Sequence, residues 1–171
     1  LLSGKMHVHC KVQPIYPLVV QAIADLSPTA TQKAIGFDLL TQDEGWVANI
    51  DSIKLSHILT NLFSNAIKFS PPNSRVNVKL VSEKQTLRIE VIDQGPGIAH
   101  EEQEMLFQEF YQIDRSNSRQ TGGAGLGLAM SKQLVKLMHG SIGVNSELGK
   151  GSCFFIEIPL SNALNTNQSK S

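Results

Sequence analysis

The sequence predicts an α+β fold, a two-layer α/β sandwich in which helices pack on one face of a mixed, mostly antiparallel sheet. Three observations predict it. Strand-like runs such as "RVNVKLVSE" (75–83) and "TLRIEVID" (86–93) alternate apolar with polar residues, the pattern of a sheet with one dry face and one wet face. Other segments carry apolar residues at helical spacing, most clearly between residues 51 and 69. These helices are interleaved with hairpins rather than with single strands, which argues for helices segregated to one layer.

Each element can be justified in turn. "KMHVHCKV" (5–12) sets Met6, Val8, Cys10 and Val12 on one side of a first strand. "YPLVVQAIADLSPTATQKA" then places Leu18, Val19, Ala22, Ile23 and Leu26 at helical spacing after Pro14 and Pro17. "IGFDLLT" and "GWVANI" read as two short strands joined by the polar turn "TQDE". Asp51 is a good N-cap for a helix that runs to about Phe69, with Leu55, Ile58, Leu59, Leu62, Phe63, Ala66 and Ile67 as its core stripe; "SPPN" ends it. Two alternating strands follow, and the second runs straight into the glycine-rich turn "DQGPGI". A short helical pattern, "EEQEMLFQEF", leads to "YQIDRSNSRQTGGAG", whose polarity is that of a mobile loop. The helix "LGLAMSKQLVKLMHG" is expected to stop at Gly140, and "SIGVNSELGKGSCFFIEIPL" to close the unit as a hairpin.

At 171 residues the chain has room for one domain, expected over 1–160, with 161–171 as a solvated tail. Its 15 basic and 15 acidic side chains cancel, so no nucleic-acid or membrane-surface partner is expected. Cys10 and Cys153 are far apart and lack metal-ligand spacing, and they read as reduced, buried thiols. Neither a membrane span nor a signal peptide is visible, so the expected location is cytosolic. The start, without Met and in the lead-in to a strand, reads as that of a fragment of something longer.

Three stretches carry chemistry. Asn61, Asn65 and Lys68 form a polar edge beside a core stripe that is complete without them. Asn is a poor helix-interior residue, at a cost of about 0.5 kcal/mol against Ala. Such a trio is either a solvated helix face or a site where amide oxygens meet Mg²⁺ and an amine meets phosphate. "DQGPGI" is either a plain turn or a place where Asp93 accepts a hydrogen bond from an amino group such as that of adenine, with Gly95 and Gly97 admitting close backbone approach. "GGAGLGLAM" (122–130) leads into a helix whose first amides suit an anionic phosphate. It does not match the dinucleotide-binding pattern, since Leu128 stands where the third glycine belongs, and "GVNSELGKGS" (143–152) fails as a P-loop, with one residue too many between Gly143 and Gly149 and with Gly151 after its Lys.

In this order the stretches resemble the ATP-binding catalytic domain of two-component sensor histidine kinases, whose superfamily takes in DNA gyrase, MutL and the ninety-kilodalton heat-shock chaperone. "HILTNLFSNAIKFS" looks like the N box, "DQGPGI" the first glycine box, "LFQEFYQ" the F box, "GGAGLGLAM" the second glycine box and "GKGSCFFIEIP" the closing strand. The resemblance implies the Bergerat-type ATP-binding fold, with ATP and Mg²⁺ as cofactors and protein histidine kinase activity. By this likeness Asn65 and Asn61 hold the metal and Lys68 contacts a phosphate. Asp93 binds the adenine amine, and Gly95, Gly97 and Ile98 shape the base pocket. Phe107 and Phe110 anchor the edge of a lid over 111–123, with Tyr111 near the adenine or ribose. Gly123, Gly125, Leu126, Gly127 and Leu128 bring amides to the phosphates, and Ser152 supports the pocket.

Two departures stand out. Ala124 replaces a commoner Thr, and Gln112 stands where many relatives carry Arg, so Arg115 or Arg119 is expected to supply the charge near the transferred group. Hydrolytic relatives place a Glu where this chain has Asn61, and an amide cannot take a proton from water, so slow hydrolysis is expected. Of the five histidines only His100 precedes a Glu, and the proline of an acceptor motif is missing from "HEEQEM". The expected partners are therefore a separate dimerisation and histidine phosphoacceptor domain and, beyond it, a response-regulator receiver domain. A protein serine kinase of the same superfamily, or a nucleotide-binding regulatory module without transfer activity, are the competing readings.

Overall fold

The computed structural model describes residues 6–111 and 127–161. Within them, β1 (Lys11–Pro14) and α1 (Tyr16–Gln32) lead to β2 (Gly36–Thr41), β3 (Val47–Ile50) and α2 (Ser52–Phe69). The hairpin β4 (Arg75–Glu83) and β5 (Thr86–Asp93) follows, then a one-turn α3 (His100–Gln103), α4 (Gly127–Leu137) and the closing hairpin β6 (Ser141–Ser146) and β7 (Ser152–Pro159). Five strands form a sheet in the order β2-β4-β5-β7-β6, antiparallel except for β2 with β4, and β1 pairs separately with β3. Val76, Val78, Leu80, Leu87, Ile89, Val91, Phe154, Ile156 and Ile158 supply the buried face of the sheet, and α1, α2 and α4 cover it in one continuous core. The expected α+β sandwich is what forms.

"IGFDLLT" and "GWVANI" are strands joined by a polar turn, as expected, and they do not pair with each other. A turn built on Asp43, whose carboxylate accepts from the Gly45 N–H at 2.8 Å, separates them. β2 then pairs in parallel with β4, Phe37 beside Val76, because α2 supplies the crossover that parallel neighbours need. β3 instead finds β1, in a register that sets Lys11 opposite Ile50.

The first strand also begins later than residue 5. Met6, Val8 and Cys10 do pack on the core, but ladder pairing starts at Lys11, and Val12 turns outward, 57% exposed. The inward alternation is lost where pairing with β3 takes over.

The helix boundaries follow their caps. Asp51 caps α2, one carboxylate oxygen accepting from the Lys54 N–H at 3.1 Å and the other from the His9 N–H at 2.8 Å. Burial opposes its charge, yet the backbone donors His9, Lys54 and Ile53 together hold its pKa below the ordinary value. Gly140 donates to the Val135 carbonyl at 2.8 Å, but the left-handed residue that ends α4 is His139, at φ 62°. The stop thus falls one residue before the expected glycine. No helix among the described residues is long and apolar enough to cross a membrane.

Candidate functional site

Seven apolar residues of α2 are buried, and Asn61, Asn65 and Lys68 line the half-buried edge beside them. The three differ in their surroundings. The Asn61 side chain donates from Nδ2 to Ser131 Oγ of α4 at 3.3 Å, and Ser131 is only 3% exposed. Asn61 Oδ1 lies against the first residue of α4, where a Cβ on Gly127 would stand 2.3 Å away. The Lys68 ammonium sits 5.4 Å from the centre of the Phe69 ring, and burial lowers its pKa from the ordinary lysine value. Asn61 thus ties the polar edge to α4, while Lys68 carries a cation that burial has made less costly to neutralise.

Asp93 ends β5 opposite Ser152 of β7 and is 4% exposed. Burial raises its carboxyl pKa, and the backbone N–H groups of Gly95 and Ser152 only partly oppose the shift. The Gly95 N–H lies 2.8 Å from Asp93 Oδ1. Beside this carboxylate opens a small apolar pocket walled by Phe69, Pro96, Gly97, Ile98 and Phe154. An apolar slot with one buried carboxylate suits a flat heterocycle that donates from an amino group.

The pocket wall is laced to the closing hairpin. Gly97 has φ +76°, and a Cβ there would fall 2.1 Å from the Glu147 carbonyl oxygen, so only glycine fits. The Ile98 N–H donates to Ser146 Oγ at 2.8 Å, and the Gln103 amide donates to the carbonyls of Ile98 at 2.9 Å and Ser146 at 2.8 Å. Ser146 Oγ also stands 2.8 Å from Ser152 Oγ, and the Gly149 N–H reaches the Pro96 carbonyl at 2.8 Å. These bonds hold the first glycine box rigid.

Residues 50–162 match the family described as "Histidine kinase-, DNA gyrase B-, and HSP90-like ATPase". The chain belongs to this ATPase family. It is 44% identical over 159 residues to the circadian input-output histidine kinase CikA of Synechococcus elongatus, a match that covers 92% of this chain and 21% of that protein. It is 40% identical over 151 residues to the sensor protein GacS of Pseudomonas syringae pv. syringae, covering 85% of this chain and 17% of that one. Among solved structures, full-length ShkA in complex with AMPPNP superimposes with a TM-score of 0.81 at 30% identity, covering 94% of this chain and 33% of ShkA. The ATPase-family chain therefore spans about a fifth of the length of these curated relatives.

Not every residue expected at the ATPase site behaves alike. Asp93, Gly97, Ile98 and Ser152 line one pocket, with Gly95 against the Phe69 carbonyl, while Asn61, Asn65 and Lys68 share the polar edge of α2, the helix whose last residue, Phe69, walls that pocket. Gly127 opens α4 against Asn61, and Leu128 packs partly on the core. Phe107 and Tyr111 also pack on the core. Burial and the Glu102 carboxylate raise the Tyr111 phenol pKa. Phe110 is 63% exposed, in the left-handed region at φ 63°, so of the two F-box phenylalanines only Phe107 packs on the core among the described residues. Gln112, Arg115, Arg119, Gly123, Gly125 and Leu126 lie outside the described residues.

The structure also brings forward residues that sequence reasoning passed over. Phe69 and Phe154 wall the pocket, although each reads locally as an ordinary end-of-helix or strand apolar residue. Ser131 was findable, because it is a polar residue within the buried stripe of Leu134, Val135 and Met138. Ser146 and Gln103 act through contacts 43 to 48 residues distant, which no local pattern marks.

Proposed function

We propose that this chain binds Mg-ATP and passes the γ-phosphoryl group to a histidine on a separate dimerisation and phosphoacceptor domain of a sensor kinase, from which it goes to a response-regulator receiver domain in the cytoplasm. The observation that carries the proposal is the buried Asp93 carboxylate at the edge of an apolar pocket, beside the polar edge of α2. Asp93 accepts from the adenine amine, while Ile98, Phe69 and Phe154 enclose the ring and shed its water. Lys68 meets a phosphate as a point charge. The residues that would hold a metal are two neutral amides, Asn65 and Asn61, whose hard oxygens suit Mg²⁺. When bound, Mg²⁺ supplies charge neutralisation at the phosphates. No carboxylate replaces Asn61, so the edge has no base to activate water, and the phosphoryl group is kept for a protein acceptor.

The relatives support this reading in kind, since CikA and GacS are described as a histidine kinase and a sensor protein. The test is to supply a histidine phosphoacceptor domain together with Mg-ATP. The expected product is an acid-labile phosphohistidine on the acceptor, with slow ATP hydrolysis by the chain alone. Acid-stable phosphoserine would favour the serine-kinase reading, and the absence of nucleotide binding would remove both.

A further inference from the structure

The last turn of α2 carries Lys68, the residue proposed to meet phosphate, and Phe69, a wall of the Asp93 pocket. A helix leaves its last four carbonyls without intrahelical partners, and a terminus that must hold two ligand-facing side chains in place has to satisfy them. Here the Ala66 carbonyl accepts from the Ser70 N–H at 3.1 Å. The next two, Ile67 and Lys68, both accept from one side chain: Lys33 Nζ, at 2.9 Å to each. Lys33 is the C-cap residue of α1, 34 and 35 positions earlier in the chain. Its own position is fixed, because its N–H donates to the Ala30 carbonyl at 3.1 Å while the next residues close the helix with Ala34 at φ 56° and the Ile35 N–H on the Ala30 carbonyl at 2.9 Å.

Resting on the ATP-site reading, we propose that Lys33 is a positioning residue for the nucleotide. It acts through the α2 terminus and touches no ligand itself. Two charge-assisted bonds from one ammonium to adjacent carbonyls fix the rotation and pitch of the final turn. The positive charge also sits where the helix macrodipole is negative. That turn sets where the Lys68 ammonium points and where the Phe69 ring stands. The Phe69 carbonyl also stands against the glycine-rich turn after β5, where a Cβ on Gly95 would lie 2.8 Å from it. Lys33 thereby joins the end of α1 to the phosphate and base edges of one site.

The test measures binding of AMP-PNP with Mg²⁺, and separately of adenosine, to the 171-residue chain and its variants by calorimetry at a temperature where all are folded. Lys33→Met keeps the aliphatic stem and loses both bonds; Lys33→Arg keeps the charge and donors. The expected result is a roughly tenfold loss of AMP-PNP affinity in Lys33→Met, the size usual for removing a supporting residue behind a ligand contact, with a smaller loss for adenosine and recovery in Lys33→Arg. If Lys33→Met fails to fold, Lys33→Gln, which keeps a donor nitrogen but loses the charge and shortens the reach, is measured instead, with the amide resonances of Lys68, Phe69 and Gly95 expected to shift while those of β6 do not. A Lys33→Met or Lys33→Gln chain that is less stable but binds AMP-PNP like wild type would overturn the positioning role and leave the ATP site standing. A wild-type chain that binds neither ligand would overturn both.

Discussion

Asn61 of α2 and Ser131 of α4, 70 residues apart, meet through a hydrogen bond of 3.3 Å in which the amide nitrogen donates to the hydroxyl. With the nitrogen committed, the oxygen faces the start of α4, where Gly127 leaves it room. Replacing Ser131 with Ala removes a buried acceptor and is expected to cost about 1 kcal/mol of stability. It should also weaken Mg²⁺-dependent nucleotide binding more than binding measured in a chelator. Denaturant unfolding beside paired titrations checks this, and equal losses with and without metal would show that Ser131 only holds the helices together.

Asn65 has the sharper expectation. It lies on the polar edge of α2, outside the buried stripe, so Asn65→Ala should leave the fold intact and abolish Mg-ATP binding or phosphotransfer. Circular dichroism and a transfer assay on a supplied histidine domain test the two halves. Transfer that survives the change refutes the metal assignment.

Asp93 predicts a pH dependence. Burial raises its folded-state pKa above the unfolded value of about 3.9, so protonation favours the native state. The associated stability is fully present below the unfolded pKa and is lost as pH rises through the raised native value. Asp93→Asn should flatten that part of the stability profile. The variant should also bind adenine nucleotides at least about tenfold more weakly at neutral pH, near 1.4 kcal/mol, since an amide accepts less strongly than a carboxylate. In the wild type, affinity should fall as the carboxylate is titrated on acidification, an acid limb that the variant lacks.

Gly97 and Gly149 offer a controlled pair. Both have positive φ, +76° and +81°, but a Cβ at Gly97 would sit 2.1 Å from the Glu147 carbonyl oxygen, while at Gly149 nothing lies within 4 Å. Gly149→Ala should cost only the left-handed strain of about 1–2 kcal/mol. Gly97→Ala should cost more and also weaken nucleotide binding, because the pocket wall must move. Thermal unfolding of both variants checks the order; equal losses would mean that the hairpin gives way cheaply.

Much of this site was legible before the fold was known. The α2 stripe from Leu55 to Ile67 comes out residue for residue, because one apolar face at helical spacing has one way to be buried. With that face complete, Asn61, Asn65 and Lys68 stood out as residues that packing does not explain. The alternation of β4 and β5 likewise set which side chains face the core. Phe107 packs on the core while Phe110 is 63% exposed, and the lid that the F-box likeness has both anchor lies outside the described residues.

By itself, then, the sequence determined the periods, the Asp51 cap and the order of the boxes, and with them the α+β class and the family. The periods, the cap and each box depend on residues within a few positions of one another. The tertiary structure decided that β2 pairs with β4 while β3 pairs with β1, that Ser131 holds the Asn61 amide, and that the Lys33 ammonium closes the end of α2. Those choices rest on satisfying buried donors and acceptors between segments tens of residues apart. Only the folded chain brings such groups to hydrogen-bonding distance.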